Sequence, residues 1–189
     1  ALSNLIYLAN EIVLGIEDLE QKDFILDLYL NLSFLQEPAT VDYDVDNTVI
    51  SLALEGLGNW AQTVSIPETL KRNLVRMLFP TLRYLGNSSI GVKRSAMATL
   101  TRFAIHGSYK NVGDLLRCNM DYILDSVVER LKAVTLFPSI PLVLSAVIES
   151  ADLYELDDVP KDLLPFLNDI VDSLLLSLDS HRNEDNHLI

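Results

Sequence analysis

The feature that most constrains the fold is a helical apolar period that recurs in segment after segment of the chain. It is clearest over 111–132, where apolar side chains return at steps of three and four residues and make one face of a helix. Asn111 is placed to cap the start, and Asp114 suits the positive end of the helix dipole. No segment alternates as a strand does, so the sequence predicts an all-α fold. The apolar face comprises Val112, Leu116, Met120, Ile123, Val127 and Leu131.

The same period divides the 189 residues into about eight helices within one domain. Asn47 is the expected cap of the third helix, and Ser65 to Glu68 form a capping box before the fourth. Gly56 and Gly58, inside the third helix, indicate the close approach of a neighbouring helix. We expect an acidic loop at 37–46 and a loose polar tail at 181–189. The predicted helices are 2–19, 21–35, 47–64, 67–85, 89–106, 111–132, 138–153 and 160–178.

The helices come in pairs with a regular spacing. Pairs that start near 67, 111 and 160 lie some forty-odd residues apart, which is the period of two-helix HEAT or armadillo repeats. The second helices are rich in small residues such as Ala96, which we expect in the core together with Leu100. The sequence therefore predicts a HEAT/armadillo-like α-solenoid of stacked antiparallel helix pairs; a compact helical bundle is the alternative. The expected pairs are 21–35 with 47–64, 67–85 with 89–106, and 111–132 with 138–153.

The chain also reads as a fragment of a longer solenoid. It begins at Ala1, without a Met, in the middle of an apolar helical pattern. In a stacked array, a terminal unit that lacks a capping repeat exposes its apolar face. We therefore expect apolar faces at both ends of this segment, which other repeats would cover.

Charge and cysteine content limit the possible partners and compartments. The 27 acids outnumber the 14 bases, which opposes binding to nucleic acid or to an anionic membrane. The acidity also keeps a leucine-rich chain soluble. Cys118 is the single cysteine, so an internal disulfide is excluded and a reducing compartment is indicated. We expect a cytoplasmic protein, with a nuclear location also open.

The residues give no case for catalysis, a cofactor or a metal. The three histidines do not pair with other ligands at helical spacing, and no phosphate-binding glycine loop is present. Asp42, Asp44 and Asp46 alternate as in a calcium loop, but the glycine and final glutamate of an EF-hand are missing. We therefore expect a protein without enzyme activity.

The best candidate for a binding surface is a mixed stripe between the apolar and polar faces of 111–132. Two interpretations compete. In the favoured one the stripe faces the next repeat, so that Asn119 bonds open loop backbone and Tyr122 packs against helix 160–178. In the other, the stripe binds another protein. The candidate protein-binding residues are Asn119, Tyr122, Ser126 and Arg130, with Asp121 and Asp125 beside them.

A resemblance to a known family rests on the same segment. Coming after a small-residue HEAT helix, it is similar to part of the Tti-one family, the Tel-two-interacting HEAT proteins of the TTT co-chaperone complex. Family members often carry a small residue where this chain has Met120. The residues that carry the resemblance are Leu115-Leu116-x-x-Asn119-x-Asp121-Tyr122-x-x-Asp125-Ser126-x-x-x-x-Leu131.

The resemblance implies a scaffold without enzyme activity. Such a protein would hold Tel-two and Tti-two and, with the Hsp-ninety machinery, support the folding and assembly of phosphatidylinositol-3-kinase-related kinases. Two other HEAT-built classes stay open: a nuclear transport receptor segment and a phosphatase regulatory scaffold. Co-purification separates these three, because each predicts a different partner.

Overall fold

The structure, a computed structural model, describes residues 2–36, 45–132, 137, 140–153 and positions 168, 170–172 and 175. All regular elements within these residues are helices, which confirms the all-α prediction. Most of the expected acidic loop, most of helix 160–178 and the tail 181–189 lie outside the described residues. The helices are α1 (Leu2–Gly15), α2 (Leu19–Leu30), α3 (Asn47–Thr63), α4 (Pro67–Arg83), α5 (Ile90–His106), α6 (Val112–Cys118), α7 (Met120–Leu131) and α8 (Ile140–Leu153), with a 3-10 turn, Tyr84–Gly86, after α4.

The helices α3 and α4 begin at the predicted residues, but the residue before each helix start differs from the expected cap. Asp46, and not Asn47, caps α3, because its carboxylate accepts a hydrogen bond from the backbone N–H of Thr48 at 2.8 Å. The residue before α4 is Ile66, so Ser65 lies one position too early to cap the helix. Pro67 fixes this register, since a proline forces the residue before it into an extended conformation and itself fits the first turn.

Three helices, α1, α3 and α5, lie side by side, with α3 in the middle. Polar bonds join the neighbours across the row. The Asn10 amide donates to the carbonyl of Leu52 at 3.0 Å, and the Thr99 hydroxyl donates to the carbonyl of Leu54 at 2.7 Å. Each bond satisfies a buried polar side chain with a backbone acceptor. Hydrogen bonds as well as apolar packing therefore hold the three helices together.

The glycines of α3 lie where its neighbours come closest, as predicted. A Cβ atom on Gly56 would lie 2.4 Å from the ring of Tyr29, and one on Gly58 would lie 2.9 Å from Arg102. Real Cβ atoms do not tolerate the first distance, so only glycine allows α2 and α1 to approach α3 this closely.

The helices α2, α4 and α7 form a second set of neighbours. Arg76 of α4 forms an ion pair with Asp27 of α2 at 2.5 Å, and the Tyr122 hydroxyl of α7 donates to the carbonyl of Val75 at 2.5 Å. The two sets also contact each other through two helix pairs expected from the sequence, α2 with α3 and α4 with α5. The third expected pair, α7 with α8, is in contact as well. The described elements are therefore stacked helix pairs.

The core runs between the two sets of helices. Trp60 is fully buried, and its indole N–H donates to the carbonyl of Lys22 at 3.0 Å. Ala96 and Leu100 are also fully buried, which confirms their predicted place in the core. The small Ala96 side chain fits the interior of a helical stack, where larger side chains would clash.

Candidate protein-interaction surface

The helix expected over 111–132 is broken at Asn119, so the prediction of one continuous helix is wrong. Asn119 has backbone angles of φ −119° and ψ 15°, which end α6 and precede α7. Its side-chain amide donates to the carbonyl of Leu115 at 2.7 Å, which the broken helix leaves without its usual partner. The expected cap at the other end is confirmed, since the Asn111 side chain accepts from the N–H of Asp114 at 2.8 Å.

The polar residues of the predicted stripe contact α4 and their own backbone. As noted, Tyr122 bonds Val75 of α4. The guanidinium of Arg130 lies over the ring of Phe79 at 4.4 Å and donates to the carbonyl of Ser126 at 3.0 Å. Ser126 is itself buried. The stripe therefore faces the preceding helix pair, whereas the favoured interpretation placed Tyr122 against helix 160–178.

Asp121 and Asp125, the two carboxylates beside the stripe, have a different environment. Both are exposed, as is Glu129 one turn further along α7. Asp121 and Asp125 are the most exposed residues of the predicted site. Whether they bind a partner stays a prediction.

The short helix α6 carries an ion pair at its positive end. Arg117 donates to Asp114 at 2.8 Å, and the backbone N–H of Lys110 donates to the same carboxylate at 3.1 Å. These two hydrogen bonds, the Arg117 bond first, hold the pKa of Asp114 below its usual range. Asp114 is therefore engaged within its own turn and belongs to the local structure.

The sequence patterns did not predict a second set of hydrogen bonds, which Arg83 and Tyr84 make at the end of α4. The guanidinium of the buried Arg83 donates to the carbonyl of Gln36 at 3.2 Å and also to that of Phe34. The Tyr84 hydroxyl donates to the carbonyl of Phe34 at 2.5 Å. These bonds span about one repeat, and no local signal in the sequence marks residues that meet over such a distance.

The surface of α1 and α2 confirms an apolar face at the first end of the described chain. An open groove of about 380 Å³ lies there, with Ile16, Phe24 and Ile25 among its lining residues. The large apolar side chains exposed on these two helices are Leu2, Leu5, Tyr7, Leu8, Ile12, Leu14, Leu19, Phe24 and Leu28.

The described residues offer little that could support chemistry. They contain no group of three or more His, Cys, Asp or Glu side chains placed to hold a metal ion. Cys118 is exposed, with its sulfur 3.9 Å from the Asp114 carboxylate. None of the helices in this part of the chain is both long and apolar enough to cross a membrane.

Comparison with known proteins identifies relatives of the chain. The family model described as TELO2-interacting protein 1 matches residues 78–175. The mouse protein named TELO2-interacting protein 1 homolog is 28% identical over 130 residues, and its human counterpart is 26% identical over 130 residues. Each alignment covers 69% of this chain and 11% of the relative, so the chain matches only a small part of the relatives' length. No solved structure matches the chain.

Proposed function

The chain belongs to the TELO2-interacting protein 1 family. On this premise we propose that it is a non-catalytic scaffold segment that takes part in binding TELO2, the protein called Tel-two above. The observation that carries the proposal is the family match, which extends from the second half of α4 through α8 and beyond. The relatives are named for their interaction with TELO2, and the stacked helix pairs of this chain suit such a role.

The wider role follows from the same premise. We propose that the full-length protein joins TELO2 and Tti-two in one complex. With the Hsp-ninety machinery, this complex would support the folding and assembly of phosphatidylinositol-3-kinase-related kinases. The stacked helix pairs support this role, because they present exposed side chains to partners. The complex would act in the cytoplasm, and a nuclear location is also open.

Within the predicted site, we propose a division of roles. Asn119, Tyr122 and Arg130 hold α6 and α7 in place against α4 and against their own backbone. The exposed carboxylates of Asp121 and Asp125 are the part available to a partner. This division predicts that changes in the first three residues act through stability, whereas changes in the two carboxylates act on binding alone.

Co-purification of the tagged full-length protein from cell extract tests the proposal. The wild-type protein should bring down TELO2 and Tti-two. The double variant Asp121→Ala/Asp125→Ala should keep the wild-type Tm and lose part of the bound TELO2. A matched control, Glu11→Ala/Glu17→Ala, removes two exposed carboxylates outside the family-matched segment and should lose none.

Other results would replace the proposal. Recovery of importin cargo without TELO2 would make the chain a transport receptor segment. Recovery of a phosphatase catalytic subunit would make it a phosphatase scaffold. If the two double variants retain TELO2 equally, the α7 carboxylates are not part of the binding surface.

A further inference from the structure

The charge of this acidic chain is divided very unevenly. Between Glu68 and Asp114 there is no Asp or Glu, although the chain holds 27 acids in 189 residues. The same interval contains α5 and nearly all of α4. A basic surface inside a chain of net charge −13 is therefore a local feature of these two helices. The bases in the interval are Lys71, Arg72, Arg76, Arg83, Lys93, Arg94, Arg102 and Lys110.

Several of these bases serve the fold. Arg76 and Arg83 bind the α2 region, as described above. Arg102 donates to the Asn59 side chain at 3.0 Å and so joins α5 to α3. Lys93 and Arg94 differ: both are exposed, and neither side chain has a hydrogen bond or ion pair within the described part of the chain.

The position of Lys93 and Arg94 does not favour the helix that carries them. Both lie near the start of α5, which has no acid in its first turn. The helix dipole is positive at this end, so two cations there weaken the helix rather than stabilise it. The helix itself therefore gains nothing from these two charges.

The exposed side of α5 has an apolar side chain at each end. Ile90 is 67% exposed and Ile105 is 64% exposed. At 1.5 Å per residue they lie roughly 22 Å apart along the helix axis, about four turns. At 100° per residue, five exposed residues share an arc of about 80° on this side. This line, the α5 ridge, consists of Ile90, Arg94, Ala98, Thr101 and Ile105, all exposed.

We propose that the α5 ridge binds an acidic amphipathic helix of a partner protein. The partner's apolar residues would contact Ile90 and Ile105, and its carboxylates would lie over Lys93 and Arg94. The small Ala98 side chain between these points allows a second helix to come close. The match in charge is the reason for an acidic occupant, and the two exposed isoleucines are the reason for an amphipathic one.

Nucleic acid fits the same surface less well. Binding to a phosphate backbone draws on many cations. This surface offers two, Arg94 on the ridge and Lys93 beside it, and has an exposed isoleucine at each end. The inference deepens the proposed function, because it rests on the chain being a protein-binding scaffold.

Site-directed cross-linking in the full-length protein tests the inference. Thr101→p-benzoylphenylalanine places a photo-cross-linker in the middle of the ridge, and the adduct is mapped by mass spectrometry. The cross-linked segment should have net negative charge and apolar residues at spacings of three and four. The same cross-linker at exposed Glu129 of α7 should not yield that segment.

Charge variants then test the mechanism. Lys93→Glu/Arg94→Glu should reduce the Thr101 adduct by about tenfold or more, and added salt should reduce the wild-type adduct. The control Arg72→Glu/Lys110→Glu makes the same change in net charge off the ridge and should leave the adduct intact. If the first variant lowers Tm, the milder Lys93→Gln/Arg94→Gln takes its place.

The outcomes separate this inference from the proposed function. No adduct at Thr101, an adduct with nucleic acid, or a cross-linked segment that is neutral or basic overturns the ridge as an acidic-helix site. The ridge is also overturned as the site if Lys93→Glu/Arg94→Glu and the control Arg72→Glu/Lys110→Glu reduce the adduct equally. TELO2 that co-purifies with the protein is measured in the same samples. If wild-type protein brings down no TELO2, that result counts against the proposed function alone.

Discussion

Gly56→Ala is the sharpest test of how the first three helices pack. Alanine normally stabilises a helix interior relative to glycine, by about 1 kcal/mol. At Gly56, however, the new Cβ would lie 2.4 Å from the Tyr29 ring and 2.5 Å from the Asn10 side-chain oxygen. Both of these residues are buried, and the Tyr29 hydroxyl donates to that oxygen at 2.5 Å, so neither can move alone.

The expected result is a clear loss of stability. Overpacking a core costs about 1–3 kcal/mol, and disturbing a buried hydrogen-bonded pair costs about 1–3 kcal/mol more. Against the gain of about 1 kcal/mol from alanine, Gly56→Ala should lose about 1–5 kcal/mol. For a chain of this size each kcal/mol corresponds to about 2–4 °C, so Tm should fall by about 2–20 °C in a circular-dichroism melt.

Gly91→Ala is the matched control. Gly91 lies in the first turn of α5, and the nearest atom to a Cβ there, the Ser89 hydroxyl oxygen, is 3.7 Å away. Its Tm should equal that of the wild type or rise slightly. If Gly56→Ala melts at or above the wild-type temperature, α1 and α2 do not approach α3 as described, and the reasoning is refuted.

Three further predictions concern single positions. Ala96→Glu places a carboxylate in a fully buried site and should cost several kcal/mol, on the order of 3–5; a Tm within a degree or two of wild type would show that the site is exposed. Asn119→Ala removes the donor to the open carbonyl of α6 and should cost about 1 kcal/mol, whereas Asp125→Ala, at an exposed position, should change the urea midpoint little. Burial, with a smaller effect from the negative charge of Glu55, raises the pKa of Tyr29, so the folded chain keeps a proton that the unfolded chain releases near pH 10. Stability should therefore fall as pH rises above about 10, and Tyr29→Phe should make that fall shallower in urea titrations at several pH values.

The helices could be predicted from the sequence because their cause is local. An apolar side chain at every third or fourth position must face a core, and this rule located α1 to α5 to within a few residues. The break at Asn119 could not be read in this way, since the apolar spacing continues unchanged from Leu116 through Met120 to Ile123. A polar side chain that bonds its own helix four residues back gives no periodic signal.

The environment of the predicted stripe was harder to foresee than its residues. Helical spacing alone places Tyr122 and Arg130 on one edge of their helix, but it does not say which neighbour that edge meets. The neighbour is α4, through Val75 and Phe79. The acid-free interval between Glu68 and Asp114 could have been found by counting charges in windows, because only the whole-chain balance conceals it.

The hydrogen bonds between helices show how the repeat is built. Asn10 bonds a residue 42 positions later, Thr99 bonds one 45 positions earlier, and Tyr122 bonds one 47 positions earlier. Arg76 meets Asp27 across 49 positions. These separations match the forty-odd residues expected between successive repeat units, so each tie joins one helix pair to the next.

This pattern determines how a change in one unit affects the rest. In a stacked array, stability is approximately the sum of each unit's own stability and its contacts with its neighbours. A substitution at Gly56 therefore acts on α1, α2 and α3, whereas one on the exposed ridge of α5 leaves those contacts intact. Because the buried residues and the exposed residues proposed for binding lie on different sides of the same helices, partner contacts could change along the chain without loss of the fold.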